Sequence, residues 1–273
     1  MGDIPISVLI TTKNEESNIA RCLDALKYFS QVIVIDSHSS DNTCDISRRF
    51  GVETILYKWN GQYPKKRQWC LETLNIQHDW VFFVDADEVV TPACVEEIRT
   101  LFQEPRAEAG FFVKGEYVLD GTVLRHGLKN NKLALIHRER LEFPVVDDLS
   151  IDGMGEIEGH YQPVLKSEYA RADIGQICAP LLHYAYEDDK EWLERHERYA
   201  AWESEMTKRG IWPKDPILWR QMVKTWLRKS IFRSYAMFLY SYIVKLGFLD
   251  GKMGYRLALS RQRYCALIYR KLN

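Results

Sequence analysis

"WVFFVDADEVV", residues 80–90, carries an apolar run of strand length that stops on Asp85, with Asp87 and Glu88 directly after it. Such a run is what a strand buried on both faces presents, and its sudden turn to acids marks where the strand leaves the core. Two upstream stretches repeat the pattern: "ISVLITT" (6–12) runs into "TTKNEE" (11–16), and "QVIVID" (31–36) runs into "DSHSSDNT" (36–43). Between them Ile19, Cys22, Leu23 and Leu26 recur at i, i+3, i+4 and i+7, one apolar face of a helix. After Asp87, Thr91 and Pro92 read as an N-cap and a first helical residue, followed by Val95, Ile98 and Phe102 on one face. "GFFVKG" (110–115) reads as a further strand. This alternation predicts a doubly wound or related α/β sheet. Sheets of that kind gather ligands just past the carboxyl ends of their strands, so the three polar clusters are expected to face one crevice.

Asp85 and Asp87 repel each other within one turn, and at least one resists ionisation unless a cation lies between them. A divalent ion removes that conflict. Hard oxygen ligands spaced as D-x-D suit Mg²⁺ or Mn²⁺, which keep several waters and share the rest of their shell with a substrate diphosphate. The plainer reading of each cluster is a helix cap or a turn. Gly153, Gly155 and Gly159 do not follow G-x-G-x-x-G spacing, so no dinucleotide fingerprint is present.

A chain of 273 residues, 46% hydrophobic and 27% charged, is long enough to bury a sizeable core. Its six cysteines form no C-x-x-C and no metal-spaced pair with histidine, and they read as reduced and cytosolic. The amino terminus, "MGDIPISVLITTKNEE", shows no basic leader and no small-residue cleavage site, which argues against a signal peptide. The net charge of −1 hides a split: from Ile211 onward stand 13 Lys and Arg against two acids, a surplus of +11. Such a tail suits an anionic surface, nucleic acid or membrane. No helix-turn-helix, RNP or zinc pattern accompanies the basic residues, so nucleic acid is not expected.

Taken together and in order, "TTKNEE", "VIDSHSSDNT", "WNGQYPKKRQ" and "FVDADE" resemble the family 2 glycosyltransferases, in particular the branch that includes lipopolysaccharide core β-1,4-glucosyltransferases. "LLHYAYEDDKEWLERHERYA" and "GFLDGKMGYRLALSRQRY" resemble that branch more loosely. The resemblance implies the GT-A nucleotide-diphospho-sugar transferase fold, a Rossmann-like mixed sheet, over residues 1–182, with a basic helical extension over 183–273. It implies an inverting, metal-dependent hexosyl transfer from a UDP-sugar to a glycan or lipid-linked acceptor of the bacterial envelope. Residue by residue, Thr11, Lys13, Asn14 and Glu15 match the loop lining the nucleotide, and Asp36 the aspartate on the base. Lys65 and Arg67, with Lys66 and Gln68, match the basic stretch near the donor sugar or diphosphate. Asp85 and Ala86 lie by the ribose and sugar, Asp87 matches the ligand of Mn²⁺ or Mg²⁺, and His183 a residue at the metal or diphosphate.

The general base is left open among several acids of "PVVDDLSIDGMGEIEGH": Asp148 first, then Asp152, with Glu156 and Glu158 as further candidates. The branch carries a His-Glu pair where this chain has "VDD" or "SID". At the basic end, Arg220, Lys224 and Arg228 share one helical face beside Trp219, Val223 and Trp226. "YAMFLYSYIV" (235–244), flanked by Arg233 and Lys245, is too short to cross a bilayer and fits the headgroup level or a helical core. These features predict a cytoplasmic enzyme, peripheral at the inner face of the membrane. Two other readings compete: a haloacid-dehalogenase-like phosphatase with Asp85 as nucleophile, and a non-catalytic membrane-bound scaffold.

Overall fold

The computed structural model describes residues 2–158, 161–184, 189–212 and 218–273, with backbone alone at 189–191, 218–221 and 224. Two compact units emerge. Met1–Tyr117, Asn130–Pro144 and Gln162–Ala185 form the first; Val118–Lys129, Val145–Tyr161 and Tyr186–Asn273 form the second.

In the first unit β1 (Ile4–Thr12), β2 (Phe29–Asp36), β3 (Glu53–Leu56) and β4 (Trp80–Asp85) run parallel in the order β3-β2-β1-β4. The sheet continues through strands later in the chain: β5 (Glu88–Val90), β6 (Gly110–Leu119), whose end folds back on β7 (Thr122–Val123), and β8 (Asn130–His137). A small separate ladder pairs β9 (Leu141–Glu142) with β10 (Val164–Leu165), and β11 (Ile174–His183) returns to the main sheet. The full order is β3-β2-β1-β4-β8-β6-β11-β5, with β8 antiparallel to both its neighbours and β5 antiparallel to β11. It is therefore a mixed sheet.

Both faces are covered, which explains why the strands read as continuous apolar runs. Ile4, Ile6, Val8 and Ile10 point to one face, where they meet Ile19, Cys22 and Leu23 of α1 (Ile19–Ala25) and Cys94, Val95 and Ile98 of α4 (Pro92–Leu101). Leu9, Ile33 and Ile35 point to the other, with Cys70 of α3 (Lys66–Thr73). Between them α2 (Thr43–Arg49) follows β2, and its Ile46 packs on the first face. Each fully buried Leu or Ile of these sets contributes about 1.5–3 kcal/mol relative to exposure. The start of α4 is fixed as its sequence predicts: Thr91 Oγ1 accepts the Cys94 N–H at 3.2 Å and Pro92 opens the first turn.

The second unit has its own small core of Val146, Ile151, Met154, Tyr161, Trp202 and Met206. Its helices are α5 (Asp189–Arg209), α6 (Leu218–Arg228), α7 (Phe232–Leu239) and α8 (Gly251–Leu272), and α8 packs on both α5 and α7. A π-helical turn at Tyr240–Val244 and a 3-10 turn at Gly247–Asp250 join α7 to α8. Among the described residues no helix is long and apolar enough to cross a membrane.

Candidate active site at the carboxyl edge of the sheet

Strand register brings the sequence clusters together. Thr12 of β1 pairs with Asp36 of β2, and Thr11 of β1 pairs with Asp85 of β4, so the three loops leave the sheet side by side. The first two loops are stitched to each other. The Asn14 N–H donates to Ser39 Oγ at 2.7 Å, the Ser40 N–H to Asn14 Oδ1 at 2.8 Å, and the Glu15 N–H to Thr43 Oγ1 at 2.8 Å. Asn14 has φ of 55°, a left-handed conformation that asparagine tolerates better than most residues. Lys13 stays exposed.

Asp36 lies beneath these loops, fully buried. Its Oδ1 accepts the Ser39 N–H at 2.7 Å, and its Oδ2 accepts the hydroxyls of Ser39 at 2.6 Å and Thr12 at 2.9 Å. Burial works against its charge, but these donors outweigh it and hold the carboxyl below the usual aspartate range. In this geometry Asp36 pins the loop that carries the site. The next residue, Ser37, takes a hydrogen bond from the Lys66 ammonium, and Lys65 and Lys66 are both buried. The sequence marked both as part of a basic stretch near the donor, but showed no sign that they would be buried.

The acids after β4 are neutralised by the chain itself. Asp85 Oδ1 accepts from Arg67 at 3.0 Å, and its Oδ2 accepts from Lys132 of β8 at 2.6 Å. The Lys132 ammonium also reaches both Glu88 oxygens, at 2.7 and 2.8 Å, and Glu88 Oε2 accepts the Asp85 N–H at 3.0 Å. Burial alone would push the Asp85 carboxyl up, yet Lys132 and then Arg67 hold it far below its ordinary value. Glu88, wholly buried, goes the other way: burial raises it, Lys132 opposes, and Asp85 adds to the rise. Of the two acids expected to need a cation between them, Asp85 and Asp87, the first has its charge met by Arg67 and Lys132 of the chain itself. Lys132 opens "KLALIHRER", where nothing local shows that a lysine will face two acids more than 40 residues upstream.

Asp87 takes a different partner, although its charge is also felt by Glu88 and it feels those of Asp85 and Lys132. The chain turns at Ala86, a buried residue, and β5 pairs antiparallel with β11, so that Glu88 lies opposite His183. This puts Asp87 Oδ2 3.3 Å from His183 Nε2, while the ring stacks on Tyr117 at 5.1 Å between centroids. Burial disfavours the imidazolium, but the Asp87 carboxylate and its hydrogen bond outweigh that and raise the His183 pKa above its ordinary value. The carboxylate thus favours the protonated ring, which has to give up its Nε2 proton before it can ligate a metal. Two neighbouring ligands of one octahedral divalent ion, each about 2.1 Å from it, stand about 3 Å apart, so the observed spacing fits such an ion. Among the described residues no group of three or more His, Cys, Asp or Glu is arranged for a metal. Asp87 and His183 are two side chains that could ligate such an ion if phosphate and water completed its shell.

The candidate base residues belong to the second unit. Asp148 is buried and its Oδ2 accepts the Trp202 indole N–H at 3.1 Å; Glu158 is also buried, Glu156 is half-buried and Asp152 exposed. Of the expected basic face of α6, the side chains of Trp219, Arg220 and Lys224 lie outside the described residues. Arg228 lies over the Trp212 ring at 4.1 Å, and Arg233 pairs with buried Glu203 at 2.5 Å, so neither is a free surface cation as the sequence suggested.

An uncharacterized glycosyltransferase of Rickettsia typhi is 37% identical over 98 residues, 36% of this chain and 32% of that protein. The lipopolysaccharide core biosynthesis glycosyltransferase LpsC of Rhizobium meliloti is 28% identical over 103 residues, 36% of this chain and 37% of LpsC. The chain thus matches about a third of the length of these relatives. In three dimensions it is similar to the mannosyltransferase PcManGT of Pyrobaculum calidifontis, solved with GDP-Man and Mn²⁺: the TM-score is 0.52 at 13% identity, over 98% of this chain and 86% of the other. The mixed sheet with its helical carboxyl-terminal part is a GT-A fold. Glycosyl transferase family 2 matches residues 7–148, just over half of the 273, and the chain belongs to that family.

Proposed function

We propose that the protein is an inverting hexosyltransferase that moves a sugar from a UDP-sugar to a hydroxyl of a glycan or lipid-linked saccharide in bacterial envelope polysaccharide or lipopolysaccharide synthesis. The observation that carries this reading is the Asp87–His183 pair, 3.3 Å apart at the sheet edge where the nucleotide loops gather. The kinship with LpsC supports the envelope acceptor. A family 2 transferase has no use for Asp85 as a phosphatase nucleophile, and that competing reading is set aside.

In this mechanism the loops at Thr11, Lys13, Asn14 and Glu15 line the nucleotide, held in shape by buried Asp36. Asp85 and Ala86 lie by the ribose and sugar. Arg67 and Lys132 grip the Asp85 carboxylate from two sides, so it meets the donor in a fixed orientation. Lys65 and Arg67 provide cationic charge toward the diphosphate. Asp87 and His183 would hold the Mn²⁺ or Mg²⁺, which when bound supplies a Lewis acid for charge growing on the leaving diphosphate. A carboxylate takes the proton of the acceptor hydroxyl as that hydroxyl oxygen attacks the anomeric carbon and the bond to the departing nucleoside diphosphate breaks; Asp148 is the first candidate, ahead of Asp152, Glu156 and Glu158. The enzyme would act at the cytoplasmic face of the membrane.

The test is release of nucleoside diphosphate from a panel of nucleotide sugars with Mn²⁺, with and without EDTA. Chelation, Asp87→Asn and His183→Ala are each expected to lower turnover on the order of 10²-fold or more, as removal of groups that stabilise developing charge does. Asp148→Asn is expected to lower it about 10²- to 10⁴-fold, while Trp202→Phe, which removes the hydrogen bond and part of a fully buried ring, keeps the carboxylate and with it most activity. A folded protein that neither turns over nor binds any nucleotide sugar sinks the proposal.

A further inference from the structure

We propose that the second unit carries a docking face for the surface of an anionic lipid bilayer, built on α7 and the turns that follow it. The segment is inside out. Toward the protein it sends Ser234 and Ser241, 3% and 1% exposed, whereas Phe232, Leu239, Ile243 and Val244 are 64%, 55%, 51% and 64% exposed. The inward serines are satisfied: Ser234 Oγ donates to the Ile231 carbonyl at 2.8 Å, and Ser241 Oγ accepts the Leu128 N–H at 3.2 Å. Phe232, Tyr235, Leu239 and Ile243, at i, i+3, i+7 and i+11, fall on one stripe. A water-facing helix places its serines and its apolar residues the other way round.

Charge selects the occupant. Lys245, whose ammonium sits 5.4 Å over the Tyr240 ring, is exposed within this segment; Lys252 is exposed in the first turn of α8, and Lys229 just after α6, three positions from exposed Trp226. From Leu218 to Asn273 the sequence has a single acid, Asp250. Its carboxylate is turned inward, accepting the His126 N–H at 2.7 Å and facing His126 Nδ1 at 3.0 Å. Among the described residues of α7, the turns that follow it and the first turn of α8, the exposed charges are thus cations, and exposed Asp120 is paired with Arg256 of α8. A second copy docking by two-fold symmetry would set lysine against lysine. Lipid phosphates answer the lysines, the headgroup zone suits tyrosine and tryptophan, and the acyl boundary takes the apolar stripe. Because no described helix can span, the segment lies in the surface plane.

The full chain is to be sedimented with phosphatidylcholine vesicles, with and without phosphatidylglycerol, at low and high salt. Binding to the anionic vesicles is expected, weakened by salt. Lys245→Gln with Lys252→Gln should weaken it about thirtyfold, and Leu239→Ser with Ile243→Ser and Val244→Ser, all at exposed positions, should remove it while circular dichroism stays unchanged. Absence of binding to anionic vesicles, or binding that the serine variant retains, overturns the proposal. So does a concentration-dependent dimer that the serine variant dissolves, since the face would then belong to a second copy. The readout needs neither donor nor acceptor, so its failure and that of the transferase reading are separate.

Discussion

Lys132 is the residue that most changes the physics of the site. Glu88 is wholly buried and Lys132 nearly so, and a buried ion pair that loses one member leaves an uncompensated charge in low dielectric. Lys132→Met is therefore expected to destabilise the protein on the order of 3 kcal/mol in urea unfolding, and adding Glu88→Gln to recover a good part of that loss. Asp36 makes a second, pH-dependent case. Its folded pKa lies below the unfolded one, so its contribution is full above the ordinary aspartate value and lost as pH falls through the depressed value. Asp36→Asn should flatten the acid limb of a stability-versus-pH curve and leave its neutral and alkaline parts parallel to the parent. Asp85, Asp87 and His183 were visible in the sequence because each follows an apolar run. Lys132 was not, because a lysine at a strand start looks the same whether it meets water or two carboxylates.

At the scale of elements, the apolar runs of β1, β2 and β4 and the helical spacing of α1 and α4 were legible because burial on a sheet and against a sheet leaves periods of its own. The short strand β5 was not: Glu88–Val90 is three residues long and reads as a lead-in to α4. Its partner β11 lies about ninety residues away, and only the tertiary pairing makes it a strand. Thr91 serves both elements. Its oxygen caps α4 and its hydroxyl donates to the Pro180 carbonyl of β11 at 2.8 Å. Thr91→Ala should cost about 1 to 2 kcal/mol in chemical denaturation, more than a helix cap in isolation gives, and Thr91→Ser should restore most of it.

For the whole molecule, the charge split along the chain foretold a basic end, but not how it would be used. Arg233 looked like a flank of an interfacial segment, yet it is committed to Glu203, which also receives the Tyr264 hydroxyl at 2.9 Å. Sequence distance conceals such pairings, and with them which cations are left for solvent. The division into interleaved units was hidden for the same reason, since the chain moves between the two units several times. Asp87 and His183 are 96 positions apart, held together by one short ladder between β5 and β11. An ion gripped by both would act as a removable staple across that loop. Mn²⁺ alone should then add about 2.7 kcal/mol of stability at a hundred times its Kd, raising the melting temperature with the logarithm of its concentration, and His183→Ala should abolish the rise.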